Sequence, residues 1–193
     1  GTNSFIWTVS NGTCPPSKDT VIVIVDQFPT TANAGANQNI CSGTALLSGN
    51  TPTVGTSNWS IITSPGNVTS PSNATSTATV LPIGQSIFVY TISNGTCPAS
   101  KDTMTITRDQ FPSTSNAGTD QITCTTSLNM SATVPTLGAG SWTLVSGSGT
   151  VTSTNSATSS VTGLGSGQNI FVWSVVNGVC PASTDTVIIT VPT

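Results

Sequence analysis

The sequence contains no histidine and no glutamate, and charged residues of either sign are few. Of its 193 residues only 5% are charged, with three Lys or Arg, six Asp and a formal net charge of −3. Proton-transfer catalysis at neutral pH depends on side chains with tuned pKa values, most often histidine. Nucleic-acid binding requires clustered lysine and arginine to neutralise phosphates. We therefore expect no enzyme, no catalytic residue, no cofactor, no metal and no nucleic-acid partner.

Long apolar segments are also absent. The longest purely apolar run is Val21–Val25, far short of the ~20 residues that span a bilayer, so we expect no membrane span in this segment. No signal peptide opens the sequence, which leaves a mature fragment or a cytosolic protein. Disorder is not expected, because disordered chains combine low hydrophobicity with high net charge, whereas this chain is 35% hydrophobic.

An internal repeat of 83 residues dominates what is present. The segment that begins at Phe5 recurs at Phe88 and at Phe171, without insertion or deletion. A period of this length is typical of a small domain rather than of a solenoid repeat. A single two-sheet fold with internal symmetry is the alternative. The predicted divisions are 1–27, the last hairpin of a preceding repeat, then a first repeat over 28–110 and a second over 111–193.

Each repeat shows the alternation of apolar and polar residues that is typical of β-strands, and no stretch has helical periodicity. Upstream strand candidates cover 45–48, 59–63 and 74–81, with equivalents at 128–131, 142–146 and 157–164. Gly, Pro, Asn and Ser separate the candidates every ~8–12 residues, as in a sandwich. The sequence predicts an all-β fold of tandem immunoglobulin-like β-sandwich repeats, with about seven strands each. The predicted core aromatics are Trp59, Trp142, Phe88, Tyr90, Phe171 and Trp173, although a tryptophan could also be a sugar-stacking platform.

A set of short motifs recurs in the same order in both full repeats. It consists of Asn-Ala-Gly-x-x-Gln (33–38, 116–121), a Cys, a Trp, Asn-Gly-x-Cys-Pro and Asp-Thr-Val/Met. The set resembles the immunoglobulin-like, PKD-related tandem repeats of very large surface or secreted proteins of gliding bacteria, and the resemblance covers the whole chain. It implies an extracellular or cell-surface stalk or adhesin, often exported by the type IX route, without catalysis in the repeats. The acidic loops of calcium-binding cadherin-like families are missing.

The five cysteines form two series at the repeat period. Cys14, Cys97 and Cys180 belong to one series and Cys41 and Cys124 to the other, which indicates disulfides and an oxidising compartment. Metal binding is disfavoured because there is no CxxC spacing and no histidine. One pairing joins Cys41 to Cys97 and Cys124 to Cys180 within repeats. The other joins Cys41 to Cys180 between repeats and leaves Cys14 and Cys124 to partners outside this sequence.

An immunoglobulin-like strand order slightly favours the pairing between repeats. It places Cys41 and Cys97 at opposite ends of one sandwich, whereas a disulfide requires Cα atoms within about 7 Å. Because five is an odd number, at least one cysteine lacks a partner here in either case.

Two further features concern the linkers and the surface. Asp26–Pro29 and Asp109–Pro112 join the repeats, and proline stiffens them. We expect Phe28 and Phe111 to plug the junctions. In bacteria with such repeats Asp-Ser/Thr-aliphatic is an O-glycosylation acceptor, so the resemblance makes Thr20, Thr103 and Thr186 candidates. The alternative is that Asp-Thr forms a turn that starts a strand.

These observations predict a non-enzymatic structural repeat of an extracellular stalk, adhesin or filament. Its partners would be neighbouring repeats of the same chain, copies of itself in a fibre, or a surface or glycan ligand. The alternative is a carbohydrate-binding module of a secreted protein, in which exposed aromatic side chains would stack on sugars.

Overall fold

The computed structural model describes residues 1–63 and 65–193, and all the regular elements in these residues are β-strands. The chain forms two compact units. One comprises Gly1–Gln38 and Thr44–Ile106, and the other Asn39–Gly43 and Thr107–Thr193. Nine residues of the first sequence repeat, 39–43 and 107–110, are therefore part of the second unit.

The chain begins with a two-stranded antiparallel hairpin that shares no sheet with other strands. Seven strands of the first repeat follow and form a four-stranded sheet, β3-β9-β8-β5, and a three-stranded sheet, β4-β7-β6. The strands are β1 (Thr2–Val9), β2 (Ser17–Ile24), β3 (Gln38–Ile40), β4 (Ala45–Ser48), β5 (Thr56–Ile61), β6 (Asn67–Val68), β7 (Thr75–Thr79), β8 (Gly84–Ser93) and β9 (Ser100–Arg108).

The second repeat has the same seven-strand plan, with sheets β10-β16-β15-β12 and β11-β14-β13. The first of these strands pairs in parallel with the last, and the other pairings in the repeat are antiparallel. The strands are β10 (Gln121–Ile122), β11 (Ser127–Asn129), β12 (Ala139–Ser146), β13 (Thr150–Val151), β14 (Ser160–Thr162), β15 (Gly167–Val176) and β16 (Ser183–Val191). The predicted fold class, tandem immunoglobulin-like β-sandwiches, is confirmed.

Side-chain alternation explains where the core lies. On β15, Phe171, Trp173 and Val175 are buried, while Val172 and Ser174 between them are half-buried. Two-residue periodicity puts the first set on one face of the sheet, where it meets the other sheet of the repeat. Each of the six predicted core aromatics is at most 3% exposed.

The buried aromatic rings pair in the same way in both repeats. The ring centroids of Trp59 and Tyr90 are 4.6 Å apart, and those of Trp142 and Trp173 are 5.1 Å apart. The hydroxyl of Tyr90 donates to the carbonyl of Asn50 at 2.8 Å. Trp173 donates its Nε1–H to the equivalent carbonyl, that of Thr133, at 3.2 Å. Different polar groups thus satisfy the same carbonyl position, as buried polar groups require.

Candidate functional site: linker clamps and a disulfide

The first linker is held by hydrogen bonds to the turn after β8. The Asp26 carboxylate accepts from the backbone N–H of Thr96 at 2.8 Å and from its hydroxyl at 3.1 Å. In return, the Asn94 side-chain amide donates to the carbonyl of Gln27 at 2.8 Å. We call this set of contacts the linker clamp. It fixes a segment that the sequence describes only as a proline-stiffened connection.

The second linker has the same clamp 83 residues later. Asp109 accepts from the backbone N–H of Val179 at 2.8 Å, and the Asn177 amide donates to the carbonyl of Gln110 at 2.7 Å. Valine replaces the threonine of the first clamp, so the second one lacks the hydroxyl donor. Hydrogen bonds to an ionised group are stronger than those between neutral groups, and each clamp contains one such acceptor.

The glycine of each Asn-Gly turn makes the clamp possible. Gly95 and Gly178 have φ values of +52° and +55°, in the left-handed region that glycine adopts without steric cost. A Cβ at Gly95 would lie 2.0 Å from a carboxylate oxygen of Asp26, and one at Gly178 would lie 1.9 Å from Asp109. In the sequence, Asn-Gly stands out only as part of the recurring Asn-Gly-x-Cys-Pro motif. The recurring Asp-Gln of the linker was the signal for its role in the clamp.

The clamp also affects ionisation. The pKa of the exposed Asp26 carboxyl is lowered, chiefly because the Thr96 backbone N–H donates to the carboxylate and also because the Thr96 hydroxyl does so. Both donors favour the ionised form.

Phe28 and Phe111, which are predicted to plug the junctions, lie in the two linkers. Phe28 is 75% exposed and Phe111 is 58% exposed. The linkers are anchored through the polar groups of the preceding Asp and Gln residues, and the plugging of the junctions stays a prediction.

The Asp-Thr motif attaches the start of each repeat to its last strand. Asp102 accepts from the backbone N–H of Ala34, and Asp185 accepts from that of Ala117, both at 2.7 Å. Two residues earlier, the hydroxyls of Ser100 and Ser183 accept similar bonds. The interpretation of Asp-Thr as a turn is wrong, because the motif lies within a strand. The candidate glycosylation sites Thr20, Thr103 and Thr186 are exposed on β2, β9 and β16.

Cys41 and Cys180 form a disulfide with a Cα–Cα distance of 5.0 Å. This is the pairing between sequence repeats, and both residues belong to the second compact unit. Cys14, Cys97 and Cys124 are free, so the pairings of Cys41 with Cys97 and of Cys124 with Cys180 are not formed.

Equivalent shallow grooves occur in the two repeats. The first has a volume of about 830 Å³ and is lined by residues such as Thr51, Pro52 and Asn58, and the second, of about 470 Å³, by Val134, Pro135 and Ser141. Neither groove is lined by an aromatic ring. Among the described residues, no three His, Cys, Asp or Glu side chains lie together as metal ligands would. The same residues contain no helix long and apolar enough to cross a membrane.

Comparison with known proteins identifies the fold but not a family. No protein-family model matches the chain, and no curated protein matches it either. A structure of titin domains I67–I69 matches all of the chain and 75% of its own length, with 10% identity and a TM-score of 0.53. Immunoglobulin domains 1–4 of Sidekick-1 match 92% of the chain, with 12% identity and a TM-score of 0.53. The chain spans 55% of that Sidekick-1 structure. These similarities establish an immunoglobulin-like fold.

Proposed function

We propose that the chain is a non-enzymatic structural segment of an extracellular stalk, adhesin or filament, of the PKD-related bacterial type. The observation that carries this proposal is the repetition of the linker clamp. The contacts of Asp26 with Thr96 and of Gln27 with Asn94 recur, 83 residues on, at Asp109 and Gln110. A clamp reproduced at both linkers is useful to a protein whose task is to hold successive repeats.

The distribution of polar contacts supports a structural role over catalysis. Asp26 and Asp109 are used in linker clamps, and Asp102 and Asp185 hold the first segment of their repeat. Catalytic sites instead gather titratable side chains in a cleft.

Residues 1–27 are, in this proposal, the last two strands of another repeat, followed by repeats over 28–110 and 111–193. The exposed apolar residues of the hairpin support this division. Phe5 is 58% exposed and Trp7 75% exposed, whereas the equivalent Phe88 and Tyr90 are fully buried. An isolated two-stranded hairpin is at best marginally stable in water. Cys14 and Cys124 would pair with cysteines outside this sequence.

The cysteines support an extracellular or cell-surface location, because disulfides persist in oxidising compartments. The exposed hydroxyls of Thr20, Thr103 and Thr186 fit the proposed glycosylation, which intact-mass measurement of the native protein would detect. We also propose that neighbouring repeats, and copies of the chain in a fibre, are its main partners.

Immunogold labelling of intact, unpermeabilised source cells tests the proposal. We expect gold on the cell surface, and on thin fibres if the protein self-associates. Label that is seen only after permeabilisation would contradict an extracellular role.

A carbohydrate-binding module is the second candidate, and the exposure of Phe28 and Phe111 favours it. Exposed rings can stack on sugars, although the grooves lack aromatic residues. A glycan array with the wild type, Phe111→Ala and the exposed non-aromatic control Ile122→Ala distinguishes the two. Binding that only Phe111→Ala abolishes would support this candidate, and absence of binding by the wild type would reject it.

A further inference from the structure

The Cys41–Cys180 disulfide closes a very long covalent loop. The two cysteines are 139 residues apart in sequence. Strands β4 to β15 lie inside the loop, together with all six buried aromatic residues named above. Outside it are residues 1–40, with β1, β2 and β3, and residues 181–193, with β16.

We infer that this disulfide shields residues 42–179, with strands β4 to β15, from tension. The inference rests on the proposed structural function, since only a segment pulled at its two ends experiences such tension. When residues 1 and 193 are pulled apart, force passes along the chain to Cys41, crosses the covalent bond to Cys180 and leaves through β16. The bond keeps the two Cα atoms 5.0 Å apart, so the backbone from 42 to 179 is not stretched by force applied at the ends.

The segment after Cys180 is suited to carry this force. β16 covers Ser183–Val191 and is paired with β15 along its whole length. A strand rises about 3.2–3.4 Å per residue, close to the limit of about 3.3–3.6 Å for a fully extended chain. Tension along β16 therefore lengthens the strand very little, so β16 can bear the force while it stays paired with β15.

Reduction of the disulfide would change the path of the force. Tension would then pass from β3 into β4 and along the remaining strands, so both cores would have to resist it through non-covalent contacts alone. Complete unfolding of the released loop would add roughly 480 Å, because its 139 residues each extend by about 3.3–3.6 Å.

Single-molecule pulling between the two termini tests the inference. The chain should carry Cys14→Ser, Cys97→Ser and Cys124→Ser, so that only Cys41 and Cys180 can pair, with handles joined through terminal peptide tags. Peptide mapping without reductant should first show the Cys41–Cys180 bond. Dithiothreitol then supplies two electrons and two protons to the disulfide, giving two thiols and the cyclic oxidised reagent.

We expect the oxidised chain to show no unfolding of residues 42–179, and the fully stretched length to increase by roughly 480 Å after reduction. A matched variant that also carries Cys41→Ser and Cys180→Ser should reach the longer length with or without dithiothreitol. Full extension of the oxidised chain, or free thiols at Cys41 and Cys180 after air oxidation, would overturn the inference. Contour length does not depend on cellular location or fibre formation, so this failure is distinguishable from failure of the proposed function.

Discussion

The hairpin β1–β2 and the strand pair β8–β9 have almost the same sequence and opposite surroundings. Both begin with alternating aromatic and aliphatic residues, pass through Asn-Gly-Thr-Cys-Pro and return through Ser-Lys-Asp-Thr. All residues of β1 and β2 are exposed, whereas Phe88, Tyr90 and Ile92 of β8 are fully buried. The comparison shows that the local pattern specifies the hairpin, while its burial depends on the other strands of a repeat.

The polar groups differ in the same way. Gly12 has a φ of +56° and a Cβ there would meet nothing within 4 Å, whereas one at Gly95 would meet the Asp26 carboxylate. Asp19 accepts from the N–H of its neighbour Thr20, but its equivalent Asp102 also holds the backbone of Ala34. In the first repeat, therefore, these residue types contact segments that lie 68 to 70 residues earlier in the chain.

The largest expected difference is between two equivalent tryptophans. Trp173→Ala should lower the free energy of unfolding of the second unit by about 3–5 kcal/mol, because it removes a fully buried ring and leaves a cavity. Trp7→Ala, at the same position of the hairpin, should change stability by less than about 0.5 kcal/mol. Urea unfolding of both variants measures this, and similar losses would contradict the contrast.

The equivalent cysteines Cys180 and Cys14 should show the same contrast in stability as the two tryptophans. Cys180→Ser removes the disulfide and should lower the stability of the second unit by about 2–5 kcal/mol. Cys14→Ser, which replaces a free and exposed thiol, should have almost no effect. The comparison requires thermal unfolding without reductant. With dithiothreitol, wild type and Cys180→Ser should become nearly equal, and a difference that persists would have to come from packing.

The turn glycines provide a smaller and more specific test. Gly178→Ala and Gly12→Ala both force a side chain into the left-handed region, at a cost of about 1–2 kcal/mol. Gly178→Ala also displaces the Asp109 carboxylate, which should cost about 1.5–3 kcal/mol more, as for a lost hydrogen bond to a charged group. Amide hydrogen exchange around each turn reports the two effects. An equal loss of protection at both turns would show that the clamp adds nothing.

The smallest expected effect concerns how the protection of the Thr96 amide by Asp26 depends on pH. The folded state lowers the pKa of Asp26. The ionised carboxylate therefore stabilises the folded state at pH values above the pKa of Asp26 in the unfolded chain, and this stabilisation is lost as the pH falls through the pKa in the folded chain. Asp26→Asn should therefore increase exchange of the Thr96 amide at neutral pH, and its difference from wild type should shrink in acid. NMR exchange measurements at several pH values test this. A difference that does not change with pH would exclude the carboxylate as the cause.

The sequence predicted the sandwich because its core residues alternate and recur. The strand candidate 45–48 coincides with β4, but the one at 59–63 is displaced from β5, which begins at Thr56. Polar residues Thr56 and Asn58 give no apolar signal before Trp59. β6 and β13 have two residues each, too few to show a period.

The linker clamp was harder to predict. Asp26 and Thr96 are 70 residues apart. Asp-Gln and Asn-Gly both recur at the 83-residue period, but the recurrence does not show that the two motifs contact each other. The role predicted for Phe28 at the junction meets a related difficulty. An aromatic residue in a linker suggests burial, but its burial depends on tertiary packing that short-range pattern does not encode.

Completing the hairpin is the most direct test that residues 1–27 belong to a repeat of this type. Gly1 aligns with Gly84 in the 83-residue period, so a copy of residues 28–83 joined ahead of Gly1 supplies one whole repeat. Hydrogen exchange of β1 is then compared with that of β8 in the same molecule. We predict that the β1 amides become as protected as those of β8 and that the emission of Trp7 shifts to the blue. A hairpin that exchanges as fast as before the fusion would contradict the account.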